Sequence, residues 1–187
     1  MSTHNLLGII LRQADYREAD QLFNIYTDTS GKIMALGRGT KKVSSKLNCQ
    51  LQSFSVINLM IAPGKNFDHI AGADIQHNFL HLKTDFKKSI LACFALELVD
   101  VLTKTGEPDS RIYSLLFKYL SALDQNNFTD SEWQVIRHAF IIKLLTLLGL
   151  APGADIMADA KKLNAFLDSH LDFPLNTEKF ISKMIPV

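Results

Sequence analysis

Residues 53–75 read SFSVINLMIAPGKNFDHIAGADI, and the reading of this stretch decides the fold. Two apolar runs, SFSVINLMI (53–61) and FDHIAGADI (67–75), flank Ala62-Pro63-Gly64-Lys65-Asn66, a cluster of turn formers. Runs of strand length on either side of a Pro-Gly turn predict a β-hairpin. Three more such runs lie upstream: LLGIIL (6–11), QLFNIYT (21–27) and KIMALG (32–37). Turn signals at residues 14–20 and 28–31, and a glycine-containing polar stretch from 37 onward, separate them. Five strands within the first 80 residues predict a small closed barrel, because closure removes the exposed edges that would invite pairing with another chain.

Beyond residue 80 the apolar residues fall into blocks of helical length. One helix is expected over about 85–104, ending at Gly106, and a second opens at Pro108 and runs to about 123. Thr129 and Glu132 fit a capping box that starts a third, over about 130–148. This last segment is apolar on nearly all sides, broken only by Arg137, His138, Lys143 and Thr146, and is therefore expected at the centre of a bundle. Gly149 and Pro152 end it, and two weaker helical segments follow at 155–170 and 177–184. The expected architecture is α+β, with a five-stranded barrel over residues 1–80 followed by an all-α helical domain over 81–187.

The chain of 187 residues carries a formal charge of +1, which excludes a uniformly basic, histone-like protein. Charge is nevertheless clustered. From residue 32 to 66 there are six basic side chains (Lys32, Arg38, Lys41, Lys42, Lys46 and Lys65) and no acid. Two cysteines, Cys49 and Cys93, make neither a disulfide framework nor a four-thiolate zinc site, which points to a reducing compartment. The first apolar run has no basic region ahead of it and does not read as a signal peptide, and no segment has the roughly 18 apolar residues of a membrane span. A cytoplasmic protein, not attached to a membrane, is expected.

The stretch GRGTKKVSSKLNCQLQSF (37–54) holds four of the six clustered cations. Its glycines suggest a phosphate cradle, but no G-x-x-x-x-G-K-[ST] occurs, and Gly31-Lys32 leads into Ile33 of a strand rather than into a helix. The remaining readings are a solvated loop and a nucleic-acid contact. Small barrels of this kind hold single strands in a groove, with cations on the backbone and aromatic rings on the bases. Tyr16, Phe23, Tyr26, Phe54 and Phe67 are the candidate rings, Phe54 being better suited to the core. His77 and His81 have the spacing of a helical metal pair, but no general-base glutamate or third ligand accompanies them. No catalytic residue, metal site or cofactor is read from the sequence. Arg137, His138 and Lys143 either pair with acids such as Glu97 and Asp100 or rim a groove for an acidic, hydrophobic peptide.

Several motifs, in this order and spacing, resemble the bacterial RecO recombination mediators. They are G-I-I-L (8–11), D-Y-R-E-A-D-Q-L (15–22), G-K-I (31–33), A-L-G-R-G (35–39), S-K-L (45–47), L-Q-S-F (51–54), A-L-E-L-V-D-V-L (95–102), G-E-P (106–108) and L-L-G-L-A-P (147–152). The resemblance implies that the barrel is an OB-fold. It also implies a non-enzymatic protein that binds single- and double-stranded DNA, anneals complementary strands and, with RecR, helps load RecA onto DNA coated by single-strand binding protein. Carried onto this sequence, Lys32, Arg38, Lys41, Lys42 and Lys46 are the DNA-binding set, shared in part with RecR. Arg137 and Lys143 are the candidates for holding the acidic tail of single-strand binding protein. The implied location is the bacterial cytoplasm, near the nucleoid. Many members carry a four-cysteine zinc element after the L-L-G-L-A-P segment, whereas residues 153–187 here contain no cysteine. An adaptor whose barrel holds a protein partner, and an RNA-binding barrel, are the rival readings.

Overall fold

The two runs of residues 53–75 form β4 (Ser55–Ala62) and β5 (Asp68–Asn78), an antiparallel pair turning at Pro63-Gly64. In the computed structural model, which describes residues 3–184, they complete a barrel begun by β1 (His4–Asp15), β2 (Gln21–Thr27) and β3 (Gly31–Gly37). The order around the closed barrel is β1-β2-β3-β5-β4. All contacts are antiparallel except β3 with β5, which is parallel and rests on Ala35↔Asp68 and Leu36↔His69. Shifts of register between Ile10 and Arg12, Val56 and Ile57, and Met60 and Ile61 bend the long strands around so small a circumference.

Side chains at alternate positions fill the interior: Leu6 and Ile10 of β1, Phe23 and Ile25 of β2, Ala35 of β3, and Ile57, Leu59 and Ile61 of β4. Between β3 and β4 lies a five-residue helix, α1 (Lys46–Gln50), whose N-cap Ser45 accepts from the amide of Asn48 at 3.3 Å. Its Leu47 and the following Leu51 pack on the barrel core. This five-stranded closed barrel with its connecting helix is OB-like, as expected. Phe54 falls just ahead of β4, not within it, and has the left-handed φ of 56°.

Contacts divide the chain into two compact units. The first is Met1–Leu80 together with Lys104–Tyr113, a segment that returns to the barrel. There Gly106 donates its amide to the carbonyl of Lys32 at 2.9 Å, and the Tyr26 hydroxyl donates to the carbonyl of Asp109 at 3.2 Å. Burial, reinforced by the charge of Asp109, pushes the Tyr26 phenol up to about 12.

The second unit is His81–Thr103 with Ser114–Val187. The described helices of this half of the chain are α2 (Leu80–Thr84), α3 (Phe86–Leu102), α4 (Ser110–Gln125), α5 (Asp130–Leu147), α6 (Ala154–Met157), α7 (Ala160–Asp168) and α8 (Glu178–Met184). Asp85 caps α3 by accepting from the Lys88 amide, and the capping box expected at α5 forms, with Glu132 accepting from the amide of Thr129 at 2.7 Å. Pro108 does not open α4. That helix starts two residues later, with the carboxylate of Asp109 accepting from the Arg111 amide.

The expectation that α5 is the central helix needs correction. It buries one stripe, Trp133, Arg137, Phe140, Ile141, Leu144 and Leu145, while Val135 is 66% exposed. The enclosed helix is α3, on which Ile90, Leu91, Ala92, Phe94, Ala95 and Leu96 are all buried. Apolar content alone does not rank helices by enclosure.

Gly31 opens β3 with a φ of +65°, and a Cβ there would lie 2.1 Å from the carbonyl oxygen of Glu107. Gly31→Ala is therefore expected to destabilise the barrel by about 2–4 kcal/mol through left-handed strain plus a backbone clash. Gly39→Ala, at φ +66° but with nothing nearer than 3.7 Å, is expected to cost only about 1 kcal/mol. Urea unfolding followed by circular dichroism measures both.

Candidate nucleic-acid interface

Barrel closure gathers three loops at one end. The β1–β2 loop carries Tyr16 and the β4–β5 loop carries Phe67, and their rings meet edge to face with centroids 5.5 Å apart at 80°. Arg17 places its guanidinium 5.2 Å from the centroid of the Tyr16 ring, a cation–π distance. Because Leu36 of β3 pairs with His69 of β5, the end of β3 joins this corner. Arg38 then lies 3.2 Å, through Nη2, from Nε2 of His69. The chain after β3 is tied to the β1–β2 loop as well: Gly39 donates to Asp20 at 2.8 Å, and the Lys41 amide donates to the carbonyl of Ala19 at 3.1 Å. Lys42 is exposed beside it, and Lys65 is exposed on the β4–β5 turn.

The corner thus combines five cationic side chains, Arg17, Arg38, Lys41, Lys42 and Lys65, with a pair of surface rings. It also holds four acids, Asp15, Glu18, Asp20 and Asp68, of which Asp20 and Asp68 accept from the Gly39 and Gly64 amides. The Lys41 ammonium is 2.7 Å from the Asp15 carboxylate, and this hydrogen bond holds the Asp15 carboxyl below its ordinary range. Asp15 is therefore ionised at neutral pH. The pair is solvent-exposed, so it is readily exchanged for another anion on Lys41.

Of the five cations marked in the sequence, Arg38, Lys41 and Lys42 fall in this corner. Lys46 is exposed on α1. Lys32 is six residues before Arg38 along β3, roughly 20 Å away at the strand's rise, and its backbone is held by Thr105 and Gly106. Of the five rings, Phe23 and Tyr26 are buried, Tyr16 is exposed and Phe67 is half-buried against it. Lys65, counted in the basic stretch but not among the five, joins the corner as well, whereas nothing in the sequence marks Arg17 or His69. Arg17 directly follows Tyr16 in a turn, and His69 lies within β5.

The helical unit engages its cations differently. Arg137 is 5% exposed and donates through Nη2 to both oxygens of Glu178, at 2.9 and 2.7 Å, and through Nη1 to Asn164 at 3.4 Å. Its guanidinium lies 4.6 Å from the ring of Phe94. Glu97, one of the acids expected to pair with it, accepts instead from the amides and side chains of Asn176 and Thr177. Burial raises the Glu97 carboxyl, but those four donors outweigh it and leave the group below its ordinary value. Burial, and then the charge of Arg137, lowers the neighbouring His138. Lys143 is exposed. His77 and His81 do not share a helix: His77 is on β5, against the ring of Phe79, and His81 is on α2, beside Asp124. Among the described residues no three His, Cys, Asp or Glu side chains are grouped to hold a metal ion.

Comparison with known proteins matches two family models in succession. Recombination protein O N terminal matches residues 1–79, and Recombination protein O C terminal matches residues 83–162. Curated relatives named DNA repair protein RecO include that of Listeria welshimeri, 28% identical over 93% of this chain and 65% of the relative. Those of Alkaliphilus metalliredigens and Moorella thermoacetica are 30% and 31% identical, over 78% and 81% of this chain and 58% and 55% of the relatives. The chain therefore spans somewhat under two thirds of the length of these relatives.

Because Arg137 is buried and Glu178 only half-buried, Glu178→Gln is expected to destabilise the helical unit by about 1–3 kcal/mol, below the full penalty for a buried pair. Lys143→Ala is expected to change stability by less than about 0.5 kcal/mol. Fluorescence of Trp133, the one tryptophan of the chain, reports on unfolding around α5 in both cases.

Proposed function

The chain belongs to the recombination protein O family, and we propose that it acts in DNA repair and recombination as a non-enzymatic mediator whose barrel binds DNA. The observation that carries this reading is the corner where Tyr16 and Phe67 lie among Arg17, Arg38, Lys41, Lys42 and Lys65. Loops at this end of an OB-like barrel hold oligonucleotides by charge on the backbone and stacking on the bases. Neutralised phosphates and unstacked bases also favour pairing of two complementary strands, so single-strand binding and annealing use the same surface. The proposed DNA contacts are Arg38, Lys41 and Lys42, with Lys32 and Lys46 on neighbouring faces of the barrel, where RecR is the proposed partner.

The helical unit is proposed to receive the acidic tail of single-strand binding protein, through which RecA is loaded. The outer face of α5 supports this, since exposed Lys143 follows Val135 and Ala139 on the side away from the buried stripe. Arg137, engaged by Glu178, joins such a site only by exchanging one carboxylate for another. No helix among the described residues is long and apolar enough to cross a membrane, which fits the proposed place at the nucleoid in the cytoplasm.

Salt and mutation separate the two components of binding. If five corner cations each neutralise a phosphate, affinity for a labelled single strand falls with salt at a log–log slope of about −3.5. Lys41→Ala with Lys42→Ala is expected to reduce that slope by about 1.4. Tyr16→Ala or Phe67→Ala is expected to cost about 1–3 kcal/mol at an unchanged slope, because stacking releases no counterions. A slope near zero refutes the surface. Tight binding of a protein partner with no oligonucleotide binding at low salt makes the barrel an adaptor, and stronger binding of RNA than DNA moves the reading to RNA.

A further inference from the structure

The helical unit contains a cavity of about 380 Å³, within the size range of ligand pockets. Arg137 of α5 and Asn164 of α7 line it, as do Leu167, Leu171 and Leu175. Three carboxylates line it too: Asp168, Asp172 and Glu178. Except for Arg137, these residues lie beyond the segments that the two family models match.

The charges do not balance. Glu178 is neutralised by its two-pronged bond to Arg137. Asp168 and Asp172 are exposed and have no hydrogen-bond or ion-pair partner for their side chains among the described residues, and neither His170 nor Lys179 lines the cavity. Beside these two carboxylates stands an apolar surface, with Phe173 80% exposed between Asp172 and Pro174. Two uncompensated acids beside apolar walls suit a ligand that is greasy and positively charged. An acidic ligand would have to approach three carboxylates and take Arg137 from a bidentate partner.

We propose that this cavity is a docking site for a basic, apolar segment of a partner protein. Its apolar side chain packs among Leu167, Leu171 and Phe173, and a lysine or arginine alongside meets Asp168 and Asp172. The site is separate from the barrel corner and opposite in sign to the surface proposed for an acidic tail.

The test uses the full chain and two fluorescein-labelled hexapeptides with the same four leucines, one carrying two arginines and the other two glutamates. Fluorescence anisotropy is expected to show the arginine peptide binding at least tenfold more tightly. Asp168→Asn with Asp172→Asn, which removes no described contact, is expected to weaken the arginine peptide at least tenfold while leaving oligonucleotide binding unchanged. Unchanged Trp133 fluorescence shows that the helical unit of the variant is folded, and unchanged oligonucleotide binding keeps this result apart from the DNA reading. Failure of the arginine peptide to bind, equal binding of the two peptides, or indifference to the double variant overturns the proposal. Tighter binding of the glutamate peptide overturns it as well and assigns the cavity to an acidic tail.

Discussion

Two residue pairs close the barrel. Ala35 with Asp68 and Leu36 with His69 are the whole parallel contact between β3 and β5, whereas the antiparallel neighbours share six or more pairs each. Without this short seam the five strands would be an open sheet with two unsatisfied edges. With it, the ends of β1, β3 and β4 converge, and loops that are distant in sequence form one surface. The contact of Tyr16 with Phe67, the approach of Arg38 to His69 and the tether of Lys41 to the β1–β2 loop all follow from that closure. The charged corner is thus a consequence of topology more than of local sequence.

This explains what could be read in advance. Strand-length apolar runs and a Pro-Gly turn were sufficient for five strands, and the capping pair Thr129 and Glu132 located the start of α5. Phe23 and Tyr26 could not be told from Tyr16 and Phe67 by residue type, since all four are aromatic and near strand ends. Burial separates them: Phe23 is in the barrel core, Tyr26 is covered by the returning segment at Asp109, and Tyr16 and Phe67 are on loops. Lys32 and Arg38 likewise read as one basic stretch, yet they lie at opposite ends of β3, because a strand spends about 3.3 Å on each residue. Arg17 and His69 carried no warning, as their significance arises only when loops from different parts of the chain meet.

The helical unit shows the other limit. A cation within an apolar helix has to be accounted for, and the sequence offers several acids at suitable spacing. The chosen partner of Arg137 is Glu178, 41 residues away, while Glu97 serves the turn that leads into α8. Arg137 thus holds Asn164 and Glu178 to α5, Glu97 holds residues 176–177 to α3, and Asp168 and Asp172 are left without cations of their own. The two units therefore present surfaces of opposite character: a barrel corner rich in exposed cations and a helical cavity with spare negative charge.

The return of residues 104–113 to the barrel bears on how the chain matures. Tyr26 donates its hydroxyl to a carbonyl 83 residues later, and Gly31 is fitted against Glu107. At the usual rate of synthesis, Asp109 emerges roughly 4–17 s after Tyr26, far longer than a hairpin needs to form. The nascent β2–β3 hairpin thus waits on the ribosome with its Tyr26 hydroxyl still seeking an acceptor until α3 has been made. The order of synthesis therefore puts all of α3 after the strands that close the barrel and ahead of the segment that covers Tyr26 and Gly31.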